Sequence, residues 1–427
     1  VRGTAADVTQ LAICPASAEK AAVSVGLAGA ASSGARTAGL VVDHARLSGS
    51  LALAAGLAAD DPREEVSVVV TDGGALVSKD SLVSGVKKPA LRVSLTLEDN
   101  STLTGSLCYN FYCKFVTPPQ ITARNGSAIY GNVNFREACD FAFDGSTLAA
   151  DSKGTPAQIA YYANSPYTNS FTFVNGSVCN VGTIGCAFEY LYACPPDIRL
   201  TFDDSEWRGM TDFGPRDLHA GKSRNPTVSV LVCGRGLVLD VPEGTTYTWA
   251  YPLADAPGKT GGFVKRGVGT LKVLKARNPD LTVADGFAFA HKGQTVVEAG
   301  VLDLDGNTWT GGTLGGGEGK IANGTLDRGT VSLDVREATD GAWSAVTVPR
   351  FASSVTFGGR TKVDLGEADP PLGATFVIAR YEGAAPDVSR WKLVRRGDEK
   401  RAILCTAENG EVVARLAKEP GFMLLVR

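Results

Sequence analysis

Residues 68–76 read Val-Val-Val-Thr-Asp-Gly-Gly-Ala-Leu, and variants of this short pattern recur along the chain. Each copy has alternating apolar residues, an Asp-Gly, Asn-Gly or Asp-Asn step, a small residue and a further apolar residue. Apolar alternation on both sides of a turn dipeptide is typical of a strand, a turn and a second strand, and not of a helix. The clearest copies begin at Val68, Leu95, Ile121 and Phe171, and a looser copy begins at Phe141.

The spacing of these copies predicts a solenoid. Successive copies begin about 26 residues apart, and the interval between those at Ile121 and Phe171 is about twice as long. Repeats of this size bury their apolar sides only by stacking on their neighbours. The pattern therefore predicts an all-β parallel β-helix. The alternative is a string of antiparallel sandwiches, in which strands recur roughly every 8–12 residues without a longer period.

The repeat also predicts which side chains face the core. Positions 1, 3 and 9 of each copy are expected to point inward and to form ladders of similar residues. The Asp-Gly and Asn-Gly steps tolerate positive φ, which lets the chain turn sharply at a corner. We expect Asn100, Asn125 and Asn175 to share side-chain hydrogen bonds between coils, and Val68, Leu95, Ile121, Phe141 and Phe171 to form one inward ladder.

Changes in composition predict three regions. Residues 1–65, rich in small residues, are expected to form thin N-terminal coils and a cap. Residues 66–370 are expected to form the parallel β-helix, with loop inserts near 149–167 and 206–225. Residues 371–427 contain short apolar runs separated by turn signals, which predicts a C-terminal strand and hairpin cap.

Charge and hydropathy exclude several classes of partner. The chain has 42 basic and 45 acidic residues and a formal net charge of −3, without a basic stripe, so we expect no nucleic-acid partner. No run of about 18 apolar residues is present, so we expect no membrane insertion by this chain. The nine cysteines form no Cys-x-x-Cys pair, which predicts core thiols or one or two local disulfides. The sequence starts at Val1 without a signal peptide, as expected of a mature form or an excised fragment.

Two groups of residues are candidates for chemistry or binding. An enzyme would draw on the acidic group near Trp207, since glycosidases use paired carboxylates and lyases use acids for Ca²⁺ with a basic residue as proton acceptor. A solvated, turn-forming surface explains the same residues. Exposed aromatic residues could stack on sugar rings, whereas core and corner packing is the alternative. The candidates are Asp203, Asp204, Asp212 and Asp217 for catalysis, and Tyr161, Tyr162, Tyr167 and Trp207 for ligand binding.

No sequence motif indicates a metal or a cofactor. His44, His219 and His291 lie far apart in the sequence, without a His-Glu-x-x-His motif, and each is expected at the surface or at a coil corner. The EF-hand and nonapeptide Ca²⁺ motifs are also absent. We therefore expect neither a metal nor a cofactor.

One stretch carries a family resemblance. Residues 264–271 read Val-Lys-Arg-Gly-Val-Gly-Thr-Leu, and residues 295–304 read Thr-Val-Val-Glu-Ala-Gly-Val-Leu-Asp-Leu. This stretch of about 40 residues resembles the autotransporter-associated β-strand repeat, whose unit runs K-x-G-x-G-T-L and then V-x-x-G-T-L-x-L, with Val301 where that family has Thr. The resemblance implies a right-handed parallel β-helix of the passenger type that is secreted or exposed at the cell surface. Autotransporters end in a membrane barrel, whereas here a short strand module follows residue 370.

These observations favour a non-enzymatic, secreted or surface-displayed bacterial β-helix protein with an adhesive or structural role. Glycans, or the surface of a host or neighbouring cell, are the expected partners. One alternative is a β-helix polysaccharide lyase or glycoside hydrolase that uses the acidic group. Another is a phage-type fibre, which predicts a trimer.

Overall fold

The fold was described from a computed structural model of the chain. This structure describes residues 9–13, 23–25, 36–49, 51–53, 64–78, 92–107, 118–135, 138–161, 168–186, 197–216, 225–394 and 401–418. These residues contain 44 β-strands and no helix. They divide into two compact units, the first within Val1–Met210, Gly214–Leu237 and Arg277–Val283, the second within Thr211–Phe213, Val238–Ala276 and Ala284–Arg427.

The strands are short and are separated by turns. Those up to residue 240 are β1 (Thr9–Ile13), β2 (Val23–Val25), β3 (Arg36–Asp43), β4 (Ala45–Gly49), β5 (Leu51–Leu53), β6 (Glu64–Thr71), β7 (Ala75–Val77), β8 (Arg92–Leu97), β9 (Thr102–Thr104), β10 (Gln120–Arg124), β11 (Ala128–Tyr130), β12 (Val133–Phe135), β13 (Asp140–Asp144), β14 (Thr147–Ala149), β15 (Ala157–Tyr161), β16 (Thr168–Val174), β17 (Val178–Cys186), β18 (Asp197–Asp203), β19 (Ser205–Arg208), β20 (Asp212–Phe213), β21 (Thr227–Val232) and β22 (Gly234–Asp240).

The remaining strands are also short and separated by turns. They are β23 (Thr246–Trp249), β24 (Leu253–Asp255), β25 (Gly261–Arg266), β26 (Thr270–Val273), β27 (Lys275–Arg277), β28 (Val283–Phe287), β29 (Gln294–Val297), β30 (Val301–Asp303), β31 (Thr308–Thr310), β32 (Thr313–Leu314), β33 (Lys320–Ala322), β34 (Gly324–Asp327), β35 (Thr330–Ser332), β36 (Val335–Glu337), β37 (Trp343–Ala345), β38 (Arg350–Phe351), β39 (Val355–Phe357), β40 (Lys362–Asp364), β41 (Thr375–Tyr381), β42 (Lys392–Leu393), β43 (Arg401–Glu408) and β44 (Glu411–Lys418).

Parallel strands stack coil on coil, so the predicted all-β solenoid is confirmed. In the first unit one face is a parallel sheet in the order β21, β18, β16, β13, β10, β8, β6 and β3. Antiparallel sandwiches are excluded for this face because neighbouring strands in it pair in parallel.

The predicted inward ladder is confirmed residue by residue. Direct register partners run from Val68 through Leu95, Ile121 and Phe141 to Phe171, and all five are buried. A second ladder, two residues further along each strand, consists of Val70, Leu97, Ala123, Phe143, Phe173, Phe202 and Val232. A third ladder follows the corner and consists of Leu47, Leu76, Leu103, Ile129, Leu148, Cys179 and Trp207.

The small residue of each repeat connects neighbouring coils. Ser101, Ser127, Ser146, Ser177 and Ser205 are all buried. The Ser101 backbone N–H donates to Ser127 Oγ over 3.1 Å, and the Ser146 N–H donates to Ser177 Oγ over 3.1 Å. These bonds satisfy polar groups that would otherwise be buried without a partner, which is costly.

Three cysteines are core thiols, as the sequence predicts. Cys139, Cys179 and Cys233 are buried thiols and Cys405 is a half-buried thiol, and none of these four is in a disulfide. Burial raises the pKa of Cys179 well above its usual value, which keeps this thiol protonated and unreactive.

Two predicted loop inserts contain strands. Ala157–Tyr161 forms β15, which pairs in parallel with β12 and β17. The segment near 206–225 contains most of β19 and all of β20. These parts of the inserts therefore belong to sheets, and the proposed domain boundaries stay a prediction.

The second unit repeats the same construction. Its main sheet begins with β20, β23, β26, β30, β33, β38 and β41, and neighbouring strands in this series pair in parallel. An inward ladder runs along it through Leu271, Leu302, Ile321 and Phe351. The sheet then changes direction, because β44 pairs antiparallel with both β41 and β43. This confirms the predicted C-terminal hairpin module.

Lys265 connects the two halves of the stretch that resembles the autotransporter-associated repeat. The two halves lie on neighbouring coils, with Leu271 in register with Leu302. Lys265 is fully buried, and its Nζ donates to three carbonyl oxygens: those of Gly267 (a short contact), Gly269 (a contact of 2.5 Å) and Ala299 (2.8 Å). An ammonium group has three donors, so this arrangement satisfies all of them.

The glycines of this stretch leave room for the lysine bonds. Gly267 has φ of +70°, and a Cβ there would lie 2.2 Å from the Val241 carbonyl oxygen. Gly300 has φ of +67°, and its Cβ would lie 2.4 Å from Lys265 Nζ. Burial lowers the pKa of Lys265 to about 8, although the negative charge of Asp240 acts in the opposite direction. Because this pKa is still above 7, the side chain keeps its third proton at pH 7.

His291 is a core residue, so its predicted place at the surface or a corner is wrong. It is 2 % exposed and packs among the rings of Phe263, Phe289 and Trp309. Its Nε2 shares a hydrogen bond of 2.9 Å with Thr295 Oγ1. Burial lowers the pKa of His291 to about 4, although the Asp255 charge acts in the opposite direction.

Acid is expected to destabilise the second unit through His291. Between pH 6.5 and 4 the unfolded imidazole binds a proton that the folded one does not, so stability present above pH 6.5 is lost as the pH falls towards 4. The expected loss is about 3 kcal/mol in the free energy of unfolding. Urea denaturation at several pH values, compared with the His291→Gln variant, measures this difference. An identical pH dependence of the two proteins would contradict the prediction.

Among the described residues we find no helix with the length and apolar character that crossing a membrane requires.

Candidate functional site

The corner after each strand of the first unit's sheet is built from residues that accept a left-handed backbone. Asp and Asn are common at positive φ because their short side chains bond to nearby backbone groups. Backbone hydrogen bonds also connect the corners of neighbouring coils, such as Gly73 N–H to the Asp99 oxygen over 2.8 Å. The Asp, Asn and His residues with positive φ at these corners are His44 (45°), Asp72 (52°), Asp99 (56°), Asn100 (61°), Asn125 (55°), Asn175 (55°) and Asp204 (49°).

Acidic side chains accumulate along these stacked turns, which we call the carboxylate corner: Asp43, Asp72, Glu98, Asp99, Asp144, Asp203 and Asp204, together with His44. Arginines on neighbouring coils pair with two of these carboxylates, and asparagine amides on neighbouring coils donate hydrogen bonds to two more. The predicted hydrogen bonds between asparagine side chains are wrong for Asn125 and Asn175, because their amides donate to aspartate side chains. The ion pairs are Arg124 with Glu98 and Arg235 with Asp204 (3.6 Å), and the hydrogen bonds are Asn125 to Asp99 (2.9 Å) and Asn175 to Asp144 (2.7 Å).

One end of the carboxylate corner differs from the rest. Asp43, His44 and Asp72 each offer one ligand atom, and these three atoms lie within 4.8 Å of one another. His44 Nδ1 lies 2.6 Å from Asp43 Oδ1. Among the described residues this is the one group of three or more His, Cys, Asp or Glu side chains with such spacing.

The acidic residues proposed from the sequence for catalysis have structural roles where they are described. Asp203 Oδ1 accepts the Arg235 backbone N–H over 3.0 Å, and a Cβ at Gly234 would lie 2.2 Å from the same oxygen. Asp204 is a corner residue. Asp212 lies in β20 of the second unit, where it accepts the Thr248 hydroxyl over 2.7 Å. Asp217 lies outside the described residues, so the enzyme alternative stays a prediction.

Two of the four aromatic residues proposed for ligand binding are buried. Tyr161 is 0 % exposed and Trp207 is 1 % exposed, so neither ring is available to a ligand in this fold. Trp207 continues the third ladder above Cys179, stacks on Phe202 at 5.7 Å and donates through Nε1 to the Val181 oxygen over 3.1 Å. These two assignments are corrected to core packing. Tyr162 and Tyr167 lie outside the described residues.

The second unit contains a better placed aromatic residue. β36 and β37 form an antiparallel hairpin that interrupts the parallel coils and carries Trp343. Trp343 is half-buried and lines a groove of about 330 Å³ together with Phe376, Glu318, Arg350 and Arg380. Arg350 pairs with Glu318 by a short contact, and Arg380 Nε lies 3.3 Å from Glu411 Oε1. The groove therefore combines a half-buried indole with paired guanidinium and carboxylate groups.

Sequence reasoning missed both places. Asp43 and His44 lie on one coil and Asp72 lies on the next, so no local motif contains the three residues. Trp343 follows a hairpin signal, Ala338-Thr339-Asp340-Gly341, which indicates a turn but does not place the indole in a groove.

Comparison of the chain with family models, with curated proteins and with solved structures gave no match. The resemblance to the autotransporter-associated β-strand repeat therefore stays a prediction.

Proposed function

We propose that this chain is a secreted or surface-displayed bacterial β-solenoid with an adhesive role, and that the groove beside Trp343 binds carbohydrate. The groove carries the proposal because it offers an accessible aromatic side chain among fixed polar groups. Its volume of about 330 Å³ is within the range of small-ligand sites, roughly 300–1,000 Å³.

The chemistry of the lining residues favours a sugar. An indole has a large apolar surface that suits the C–H face of a pyranose ring, and its N–H remains a polar handle. Guanidinium and carboxylate groups form bidentate hydrogen bonds, which suits pairs of neighbouring hydroxyls. Since Arg350 and Arg380 already pair with carboxylates, they are held in position for such contacts at little further entropic cost.

The construction of the scaffold supports an adhesive role. Stacked coils give a surface that repeats at about 4.8 Å per coil, and a ligand-binding hairpin can be carried on it without disturbing the core. The link that Lys265 makes between the two halves of the repeat-like stretch is consistent with the passenger-type resemblance on which secretion is proposed.

Binding of oligosaccharides is expected to depend on Trp343. We expect a glycan array to identify at least one oligosaccharide ligand, and Trp343→Ala to weaken its binding at least tenfold in isothermal titration calorimetry, since stacking on the indole is lost. Leu404→Ala is the matched control, because Leu404 is an exposed apolar side chain, 59 % accessible, of the C-terminal hairpin and does not line the groove.

Two results would contradict this function. One is a wild-type protein that retains no glycan of the array. The other is turnover of a polysaccharide that Asp203→Ala abolishes while the thermal melting curve stays unchanged, which would favour the lyase or hydrolase alternative.

A further inference from the structure

We propose that a second groove, separate from the Trp343 groove, binds a small organic cation that carries a quaternary ammonium group. This groove has a volume of about 300 Å³ and is lined by residues of β38, β39 and β41 and of the turn that follows β41. We call it the Tyr381 groove. Its occupation is independent of carbohydrate binding and of the proposed adhesive role.

The stacking of neighbouring coils forms the walls of the Tyr381 groove. Phe351 and Tyr381 are direct register partners in β38 and β41, and the Glu382 N–H donates to the Phe351 carbonyl over 2.9 Å. The turn after β41 passes close to the preceding coil at Gly383, where a Cβ would lie 2.7 Å from Ser353 Cβ. The groove is therefore built between two coils that are held by contacts on both sides of it.

Aromatic rings supply the wall that a cation would face. Phe357 is half-buried, and its ring centroid lies 5.0 Å from that of Phe351 and 5.4 Å from that of Trp391. Tyr381 is also half-buried. Half-buried rings that line a groove keep part of their surface accessible, and the negative face of a ring attracts a cation within about 6 Å of its centroid.

The charge of the lining selects a cation. The charged residues of the lining are Glu382 and Asp387, and none of the described residues that line the groove is Lys, Arg or His. Glu382 pairs by a short contact with Lys320, which does not belong to the lining. Asp387 Oδ1 accepts the Ser389 backbone N–H over 3.0 Å, and Asp387 forms no ion pair with a described residue. Hydrogen bonds from Ser389 lower the pKa of Asp387, and the charge of Arg390 acts more weakly in the same direction, so this carboxylate is ionised at pH 7.

The rest of the lining favours a quaternary over a primary ammonium group. Val355, Ala384, Ala385 and Pro386 add apolar surface to the groove. A primary ammonium has three donors that each need an acceptor, whereas a quaternary ammonium donates no hydrogen bond and is a known ligand of aromatic side chains. The volume of about 300 Å³ is at the lower end of the range for small-ligand sites, roughly 300–1,000 Å³, which suits a ligand of the size of choline.

Titration of the whole chain with choline chloride in a calorimeter tests the proposal. We expect saturable binding that Tyr381→Leu weakens at least fivefold, whereas Tyr381→Phe keeps the ring and stays within twofold of the wild type. Asp387→Asn should weaken binding at least twofold, because asparagine keeps an acceptor for the Ser389 N–H but carries no charge. Trp343→Ala is the matched control, since Trp343 lines the other groove, and we expect it to bind choline as the wild type does.

A neutral ligand of the same shape separates charge from apolar contact without relying on any variant. We expect 3,3-dimethylbutan-1-ol, in which carbon replaces the ammonium nitrogen of choline, to bind at least tenfold more weakly than choline chloride. Cosedimentation with phosphatidylcholine vesicles, compared with phosphatidylglycerol vesicles, distinguishes the two sources of the group. Choline binding alone assigns the free cation, and choline binding together with cosedimentation on phosphatidylcholine assigns the lipid headgroup.

Three results would overturn the proposal. They are the absence of saturable choline binding, binding of the neutral alcohol as tight as that of choline, and choline binding that is unchanged in both Tyr381→Leu and Asp387→Asn.

Discussion

Replacing Lys265 by alanine is expected to lower the free energy of unfolding by about 3–5 kcal/mol. The substitution removes the donor of three hydrogen bonds to the carbonyl groups of Gly267, Gly269 and Ala299. It also removes a buried aliphatic stem and leaves a cavity, because Lys265 is 0 % exposed. Urea denaturation followed by circular dichroism measures the loss.

Lys265→Met separates the two contributions. Methionine keeps most of the apolar stem but donates no hydrogen bond, so we expect it to lose about half as much stability as alanine does. Arg266→Ala is the matched surface control, since Arg266 is the exposed neighbour whose guanidinium pairs with Glu298 at 2.9 Å, and exposed pairs contribute at most about 1 kcal/mol. A methionine variant as stable as the wild type would show that the carbonyl bonds contribute nothing.

Lys265 also shows which features of the structure a sequence pattern predicts and which it does not. The K-x-G-x-G-T-L spacing led to a family resemblance and a fold, and the parallel coils agree with that fold. The reason for this spacing is visible only in the folded chain, because the Ala299 carbonyl accepts a hydrogen bond from Lys265 on the neighbouring coil. The glycines at 267 and 300 have the same explanation, since any Cβ there would collide with a carbonyl oxygen or with the lysine itself.

The fold could be predicted because the repeat fixes both period and register. Val68 and Leu95 occupy the same place in successive copies, and the structure makes them direct partners. The surface position predicted for Tyr161 is wrong because its segment breaks the repeat and so resembles a loop insert. Ala157, Ile159 and Tyr161 alternate with period two, which is a strand signal, but the run is short and follows a turn. Trp207 was misplaced for a related reason: acidic neighbours suggested a surface, although the residue stands at an inward repeat position.

The candidate sites were harder to predict than the fold because each depends on contacts between coils. His44 and Asp72 are neighbours in space through the register of β3 and β6, which a local motif search does not use. The Trp343 groove depends on Arg350, Phe376 and Arg380, which come from later coils. A repeat alignment extended to the corner positions would have placed His44 beside Asp72.

The second large effect is expected at Phe173, in the middle of the aromatic part of the second ladder. Its ring stacks on Phe143 at 4.7 Å and on Phe202 at 5.3 Å, with interplanar angles of 7° and 12°, and it is fully buried. Phe173→Ala removes both stacks and leaves a cavity between two coils that cannot close, because the parallel strands on either side are fixed in register by their hydrogen bonds. We expect a loss of about 3–5 kcal/mol in the free energy of unfolding, of which stacking supplies about 0.5–1.5 kcal/mol per pair.

Two further variants test whether Phe173 acts through its place in the ladder. Thr172→Ala, one residue earlier on the other face of β16, keeps the backbone pairing and should cost less than about 1 kcal/mol. Phe173→Leu fills part of the cavity and should fall between the two. Urea denaturation of the three variants under the same conditions gives the comparison. If Phe173→Ala were no less stable than Thr172→Ala, the ladders would not be the main source of stability in the first unit. The apolar periodicity that predicts them would then determine register alone.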